Sequence, residues 1–537
     1  MHKSLATAAG LAAVLVLSGG ASPRTYDLLI RGGEIYDGSG APAVRGDVGV
    51  RGDRIVCVGR CPAGAANTTI DAAGKAVSPG FINMLSWSNE ALLHDGRGLS
   101  ELKQGVTLQV MGEGSSMGPW SDAQKAADLR RQGDVKYDIA WTTLDQYLRH
   151  LEARGVSQNV ASFVGAETVR VNVLGEDDVD PTPEQLARMR ALVVQAMEDG
   201  AMGVGTSLIY ASGNYAETDE LVALTTEAGR CGGMYISHMR SEGNRLLEAI
   251  DELIEISRRS GAPAEIYHLK ATGRANWGKL EQAIARIEAA RAQGLRITAD
   301  MYTYPAGSTG LDAAMPVWVQ AGGVEKWIER LKDPATRAKV KAEMLADSTS
   351  WENLMRHAGA DGTLLVGFKN PKLKPLTGKT LAQVAKERGV SPQDAAIDLV
   401  IEDGSRVQVV YFLMSEENVA RQTALPWISF GSDAEAQAPE GVFLLSSTHP
   451  RAYGNFARLL AKYVREEKRL SLPEAVRKLS GQPARNLGLR ERGLLRPGYF
   501  ADVVVFDPAE IQDHATFEKP HQLATGVSHV VVNGQLA

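Results

Sequence analysis

Two histidines, each at the end of a short apolar run, carry the clearest chemical signal in this chain. His238 follows Met-Tyr-Ile-Ser, and His268 follows Ala-Glu-Ile-Tyr. The two lie about thirty positions apart, roughly the length of a strand–helix–strand unit, so adjacent parallel strands would deliver both imidazoles to one edge of a sheet. Paired imidazoles are common zinc ligands, although a lone strand-end histidine is more often structural. The pair therefore predicts a metal-dependent hydrolase.

Carboxylates at the ends of other apolar runs complete the predicted site. Glu113 follows the run from Val106 to Gly112, and Asp433 ends Phe-Gly-Ser-Asp. Two imidazoles and one carboxylate leave a zinc position open for water, and a second carboxylate can move the proton. We predict Glu113 as a ligand and Asp433 as the general acid/base. A solvated loop carboxylate and a helix cap remain their alternatives, and Asp300 is interpreted as structural.

A fold built from repeated strand–helix units would bring these strand ends together. Catalytic groups lie at the C-terminal strand ends of α/β barrels, and amphipathic helical patterns separate the runs here, beginning with the cap-like Thr182-Pro183. The sequence therefore predicts a distorted (β/α)8 TIM barrel. Its eight candidate strands are Pro79 to Asn83, Val106 to Gly112, Val160 to Val164, Met202 to Gly205, Met234 to His238, Glu265 to His268, Leu295 to Asp300 and Trp427 to Asp433.

The last interval of the barrel is far longer than one unit. Helical patterns at Val324 to Asp347 and Thr380 to Ile401 predict an inserted subdomain, at about residues 312–425, rather than a loop. Both chain ends alternate apolar and polar residues between Gly-rich turns, which is typical of β-hairpins. We therefore predict a barrel over residues 79–488 and one small β-sandwich formed from residues 23–78 and 489–537.

The N-terminus resembles a secretory signal peptide over residues 1–22. Met1-His2-Lys3 precedes an apolar stretch from Leu5 to Leu17 and then small residues. The segment is too short to span a bilayer as a mature helix. It also resembles a lipoprotein cleavage site, but Gly20 stands where the lipidated cysteine would be. We expect soluble export to the periplasm or medium.

Composition excludes several classes of function. A 44% hydrophobic and 23% charged composition is that of a soluble globular protein, and a net charge of -6 gives no reason to expect nucleic acid as a partner. Beyond the N-terminus no segment is apolar for the roughly 18 residues that a membrane span needs.

Cys57 and Cys61 could pair in an oxidising compartment, but we expect buried free thiols. Oligomeric state remains open.

These features together resemble the amidohydrolase superfamily, and within it the D-aminoacylase (N-acyl-D-amino-acid deacylase) family. The resemblance runs from about Tyr26 to the C-terminus. The motifs that carry it, in family order, are Ile30-Arg31-Gly32-Gly33, Tyr36-Asp37-Gly38-Ser39-Gly40, Pro79-Gly80-Phe81-Ile82, Gly200 to Leu208, Ser237-His238-Met239-Arg240, His268-Leu269-Lys270, Gly307-Ser308-Thr309, Gly431-Ser432-Asp433, His449-Pro450-Arg451 and Arg496 to Asp502.

The resemblance implies zinc-dependent hydrolysis of the amide of an N-acyl-D-amino acid. It places His238 and His268 at the tight-zinc position and Asp433 at the general acid/base. It also implies that the substrate's free carboxylate is held by Lys270, Tyr302, Ser308 and Arg451. Cationic side chains suit that task because they make charge-assisted hydrogen bonds. Surface pairing remains the alternative for Lys270.

Two departures from the family pattern bear on the metal. Where the superfamily has His-x-His after the first strand, this chain has Leu85 and Trp87. Neither residue binds metal, so we expect the second, deeper metal position to be absent or very weak. Glu113 stands where the family usually has a cysteine, which lowers the preference for zinc over manganese or iron. We expect one Zn²⁺ per chain, with Mn²⁺ or Fe²⁺ as alternatives.

The sequence supports one main function and two competitors. The main one is an exported, one-metal amidohydrolase acting on N-acyl-D-amino acids or D-residue dipeptides. The competitors are a related amidohydrolase acting on a cyclic amide or dipeptide, and a non-catalytic barrel used for binding. The sequence leaves the acyl group, the side-chain preference and the stereospecificity open.

Overall fold

The computed structural model describes residues 25–347 and 350–537. In these ranges the eight predicted strand positions form a parallel ring, which confirms the barrel. The ring closes where Met84 N donates to Phe430 O at 3.1 Å. At the third position the strand is interrupted at Phe163, which distorts the barrel. The barrel strands are Phe81–Asn83, Val106–Met111, Asn159–Ser162 with Val164–Gly165, Gly203–Ser207, Met234–His238, Ala264–Ile266, Ile297–Met301 and Ile428–Phe430.

Helices alternate with these strands, as the amphipathic segments predict. Thr182 caps its helix as expected, accepting from Gln185 N in a capping box. The helices of the barrel region are Ala91–His94, Leu99–Leu102, Asp122–Arg131, Leu144–Arg154, Ala166–Leu174, Pro183–Glu198, Thr218–Arg230, Leu246–Ser260, Leu280–Ala292, Glu416–Thr423, Arg451–Arg458, the π-helix Leu459–Glu466, Leu472–Leu479 and Gly481–Asn486.

Strands from both chain ends form a second β-rich unit. Val503–Phe506 pairs antiparallel with Ala76–Pro79, which joins the two ends in one continuous sheet. Leu28, Val48 and Val531 are among the buried residues of its core. The other strands are Tyr26–Ile35, Val44–Arg51, Arg54–Gly59, Ala66–Asp71, Val527–Val532 and Gln535–Leu536.

The long interval before the last barrel strand folds around its own core, which includes Trp327, Leu365 and Leu399. It contains the expected helices and also a three-stranded antiparallel sheet that the sequence pattern does not predict. The strands are Gly307–Gly310, Thr363–Gly367 and Gln408–Tyr411; the helices are Val324–Lys332, Pro334–Leu345, Leu354–Ala358, Leu381–Arg388 and Pro392–Asp403.

The cysteines differ from expectation. Cys57 and Cys61 form a disulfide with a Cα–Cα distance of 5.6 Å, so the prediction of buried free thiols is wrong. The chain turns at Gly59 (φ +88°), which returns Cys61 to the strand that carries Cys57. Cys231 is a free, exposed thiol. The predicted signal peptide lies outside the described residues, and among those that are described no helix is long and apolar enough to cross a membrane.

Candidate metal centre

Glu113, His238 and His268 converge at the C-terminal end of the barrel. Oε1 of Glu113 lies 3.1 Å from Nδ1 of His238 and 3.1 Å from Nε2 of His268. The ligand atoms of the three lie within 4.8 Å of one another, and all three side chains are buried. Tetrahedral zinc, with bonds of about 2.0–2.2 Å, sets its ligand atoms about 3.3 Å apart. The spacing and chemistry of these donors therefore fit one ion.

A tight turn aims Glu113 into the barrel. The strand Val106–Met111 ends at Gly112, whose φ is +104°. A Cβ at Gly112 would lie 2.4 Å from the carbonyl oxygen of Phe163. Glycine is therefore needed here both for its backbone conformation and for the close approach of the neighbouring strand. Ser207 Oγ adds a hydrogen bond to Oε1 of Glu113 at 3.3 Å.

The backbone of His268 is held in an unusual conformation. Its φ of +36° lies in a region that non-glycine residues rarely occupy. Its N–H donates to Oδ1 of Asp300 at 2.9 Å, and Leu269 N donates to the Asp300 carbonyl at 2.9 Å. Asp300 lies on the adjacent barrel strand and holds this turn in place. Its contacts agree with a structural interpretation.

Glu242 is a central residue of the site that the sequence analysis missed. Its Oε1 lies 3.0 Å from Nδ1 of His268 and accepts from Lys270 Nζ at 2.7 Å, and its Oε2 lies 3.7 Å from Nε2 of His238. It is thus a carboxylate behind both predicted ligands, the arrangement that orients metal-binding imidazoles. Its place four residues after His238 is the one signal that the sequence offers.

The charged side chains around the predicted ligands set the protonation state of His268. Burial and Lys270 lower the pKa of His268, but Glu242, Asp433 and Glu113 outweigh them and raise it to about 10. Burial raises the pKa of Glu242, yet Lys270 and the two imidazoles hold it well below its usual range. In the metal-free protein His268 is therefore protonated at neutral pH, and an ion must displace that proton.

Asp433 lies beside the three predicted ligands. Its φ is +49°, and its N–H donates to Leu85 O at 2.9 Å. Its Oδ2 lies 4.0 Å from Nε2 of His268 and 2.8 Å from a guanidinium nitrogen of Arg451. Burial raises its pKa although Arg451 and His268 oppose the change. A carboxylate with a raised pKa beside a metal site is suited to accept and return a proton.

The residues predicted to hold the substrate's carboxylate line the same cavity of about 970 Å³. Arg451 lies over the Tyr302 ring, 4.5 Å from its centroid. Lys270 is already paired with Glu242, and the Ser308 hydroxyl donates to Val409 O at 2.9 Å. The structure brings all four residues together, with the donors of Lys270 and Ser308 partly used by protein acceptors.

The first barrel strand leads to two non-ligating side chains. Leu85 is fully buried in the barrel core. Trp87 instead lines the cavity, and its Nε1–H lies 3.1 Å from Oε2 of Glu113 and 3.0 Å from Oδ1 of Asp433. Trp87 offers no metal ligand, as expected from the sequence. Its hydrogen-bonding position could not be predicted, because it depends on contacts distant in sequence.

Comparison with known proteins agrees with this architecture. The amidohydrolase family model matches residues 68–537. The chain is 34% identical over 512 residues to a D-aminoacylase of Alcaligenes xylosoxydans xylosoxydans, covering 95% of this chain and 94% of that protein. A crystal structure of D-aminoacylase superposes with a TM-score of 0.79 at 33% identity, covering 95% of this chain and 96% of that one.

Two further structures concern metal. An N-acyl-D-glutamate deacylase of Bordetella bronchiseptica, solved with zinc and a phosphonate mimic of the tetrahedral intermediate, has a TM-score of 0.79 at 30% identity, with 95% and 96% coverage. A D-aminoacylase with a binuclear centre, at 33% identity, a TM-score of 0.79 and the same coverage, shows one-metal activation and second-metal attenuation. This chain belongs to the amidohydrolase family and, within it, to the D-aminoacylase group.

Proposed function

We propose that this protein is a one-zinc amidohydrolase that releases a D-amino acid from its N-acyl derivative or from a D-residue dipeptide. The convergence of Glu113, His238 and His268 beside Asp433 carries this proposal. Deacylases of N-acyl-D-amino acids among the relatives support the substrate class. Two nitrogen donors and one carboxylate suit zinc, and manganese or iron are acceptable substitutes.

The protein residues divide the reaction between them. The metal, when bound, supplies Lewis acidity that polarises the scissile carbonyl and makes water acidic enough to attack at neutral pH. Asp433 takes the proton from the attacking water and delivers it to the nitrogen of the leaving amine. Its raised pKa suits both directions of this transfer. Glu242 holds Nδ1 of His268 so that Nε2 faces the site.

The cationic wall of the cavity selects the substrate. Arg451 contacts Asp433 through Nη1 and donates from Nη2 to the Ser308 carbonyl at 3.4 Å. Its Nε has no hydrogen-bond partner among the described residues and can donate to the substrate's free carboxylate. Lys270, which is paired with Glu242, lies near the same Tyr302 ring, and that ring provides the surface beneath the guanidinium. The preferred substrate is therefore a small molecule with a free carboxylate.

Export is also part of the proposal. The charged tip and apolar run at the N-terminus favour it, and the Cys57–Cys61 disulfide is typical of oxidising compartments. We expect a protein found in the periplasm or the medium. Two results together would contradict this part: detection of the protein only in the cytoplasm, and thiol alkylation showing that Cys57 and Cys61 are reduced there.

One experiment tests the function as a whole. Elemental analysis of purified protein should find one zinc per chain, and a panel of N-acetyl-D-, N-acetyl-L-, cyclic amide and dipeptide substrates should show fastest turnover of the D-acyl compounds. Preference for a cyclic amide would favour a related hydrolase. Metal-free protein that binds these compounds without turnover would favour a binding role.

Asp433→Asn tests the mechanism. We expect this variant to retain zinc but to lose at least about 100-fold in kcat, because the amide cannot shuttle a proton. Asp513→Asn is the control, since Asp513 pairs with Arg458 away from the cavity. Full activity of Asp433→Asn would refute the assigned role.

A further inference from the structure

The indole of Trp87 joins the two catalytic carboxylates. One N–H lies 3.1 Å from Oε2 of Glu113 and 3.0 Å from Oδ1 of Asp433. The second oxygen of each carboxylate has other partners. Oε1 of Glu113 contacts the two imidazoles, and Oδ2 of Asp433 contacts Arg451. A neutral donor thus lies where a cation bridging both carboxylates would lie.

Backbone pairing places Trp87 beside Asp433. Trp87 N donates to Ala434 O at 3.0 Å, and Asp433 N donates to Leu85 O at 2.9 Å. The contacts that place Asp433 therefore also place Trp87. Leu85 packs tightly beneath them, since a Cβ at Gly431 would lie 2.9 Å from the Leu85 Cβ.

The indole and a second ion exclude each other. A zinc ion requires carboxylate oxygens at about 2.0–2.2 Å and additional ligands. The indole nitrogen carries a hydrogen, only donates and supplies no ligand. A second ion between Glu113 and Asp433 would need to displace Trp87 from its hydrogen bonds and from its backbone register.

We propose that Trp87 takes the place of a second metal ion, holding Glu113 and Asp433 in position for a one-ion site and keeping another ion out. This inference rests on the proposed function. It predicts a practical difference from the D-aminoacylase in which a second metal attenuates activity. This protein should keep its activity when zinc is in excess.

Zinc titration of the metal-free full-length protein by calorimetry tests the proposal. The wild type should bind one equivalent. Trp87→Phe keeps a ring without the N–H and should bind one equivalent about tenfold more weakly, because the oxygens of Glu113 and Asp433 lose their common donor. Trp87→His supplies a nitrogen ligand in a smaller side chain and should bind a second equivalent, with activity that falls in excess zinc.

Trp120→Phe is the matched control. Its indole lines the same cavity but donates to the backbone oxygen of Ser116 at 2.8 Å, so its loss should leave both stoichiometry and affinity unchanged. A second equivalent in the wild type, a single one in Trp87→His, or unchanged affinity in Trp87→Phe would each overturn the inference. A wild type that binds no zinc would overturn the proposed function itself, and the inference with it.

Discussion

At the scale of single residues, the site depends on a carboxylate that is not one of the three predicted metal ligands. Glu242 contacts His268 and Lys270 and approaches His238, so one side chain orients two ligands and neutralises a cation that is 4% exposed. The ligands themselves could be predicted because they end apolar runs. The role of Glu242 could not be predicted, because this residue lies in a loop. Its role depends on the contact with Lys270, which lies 28 positions later in the sequence.

We predict that Glu242→Gln lowers zinc affinity by about 10- to 100-fold, because a neutral amide orients His268 less firmly and leaves Lys270 without its counter-charge. Competition with a chelator of known affinity measures the change. Glu255→Gln, on the helix Leu246–Ser260 where Glu255 pairs with Arg258, should have no effect. Equal zinc affinity in Glu242→Gln and the wild type would show that this carboxylate does not support the ligands.

At the scale of elements, the junctions between strands and loops place the side chains of the site. The eight strands could be predicted because buried parallel strands are continuous apolar runs with polar ends. The antiparallel sheet of the insertion could not, because its first strand, Gly-Ser-Thr-Gly, carries no apolar pattern. This strand nevertheless brings Ser308 to the cavity. The Cys57–Cys61 pairing was open from the sequence as the alternative to free thiols, and it depends on the local turn at Gly59.

Gly112→Ala tests one such junction. We expect it to lower the free energy of unfolding by more than about 2 kcal/mol and to weaken zinc binding, because the added Cβ would collide with the Phe163 backbone and displace Glu113. Gly200→Ala separates strain from collision: Gly200 has φ +102° but open space around it, so its loss should cost about 1 kcal/mol and leave zinc binding intact. Urea unfolding and zinc titration measure both. Equal effects in the two variants would contradict the collision.

At the scale of the whole molecule, protonation of His268 links the free energy of unfolding to pH and to zinc binding. The pKa of His268 is raised to about 10 in the folded, metal-free protein and is about 6.5 in an unfolded chain. The folded state therefore holds an extra proton between these values. Its contribution to stability is complete below about pH 6.5 and is lost as the pH rises towards 10. Zinc binding has the opposite dependence, because the ion competes with that proton.

We predict that metal-free protein loses thermal stability between about pH 7 and 10 through this group, and that zinc stabilises the protein more strongly as the pH rises through the same range. Calorimetric unfolding scans with and without zinc measure both trends. His268→Gln is the reference, since it lacks the titrating group, and the difference between wild type and variant isolates it. A difference that does not change with pH would contradict the raised pKa.

The pairing of Ala76–Pro79 with Val503–Phe506 has a consequence for biosynthesis. A growing chain cannot complete its first sheet until Val503–Phe506 and Val527–Val532 have been made, so the N-terminal strands remain incompletely paired during the synthesis of the entire barrel. Loss of the last strands would expose the apolar face of the first ones, including Leu28 and Val48. A stop codon shortly before Val503 would therefore destabilise the N-terminal strands as well as remove the strands that pair with them.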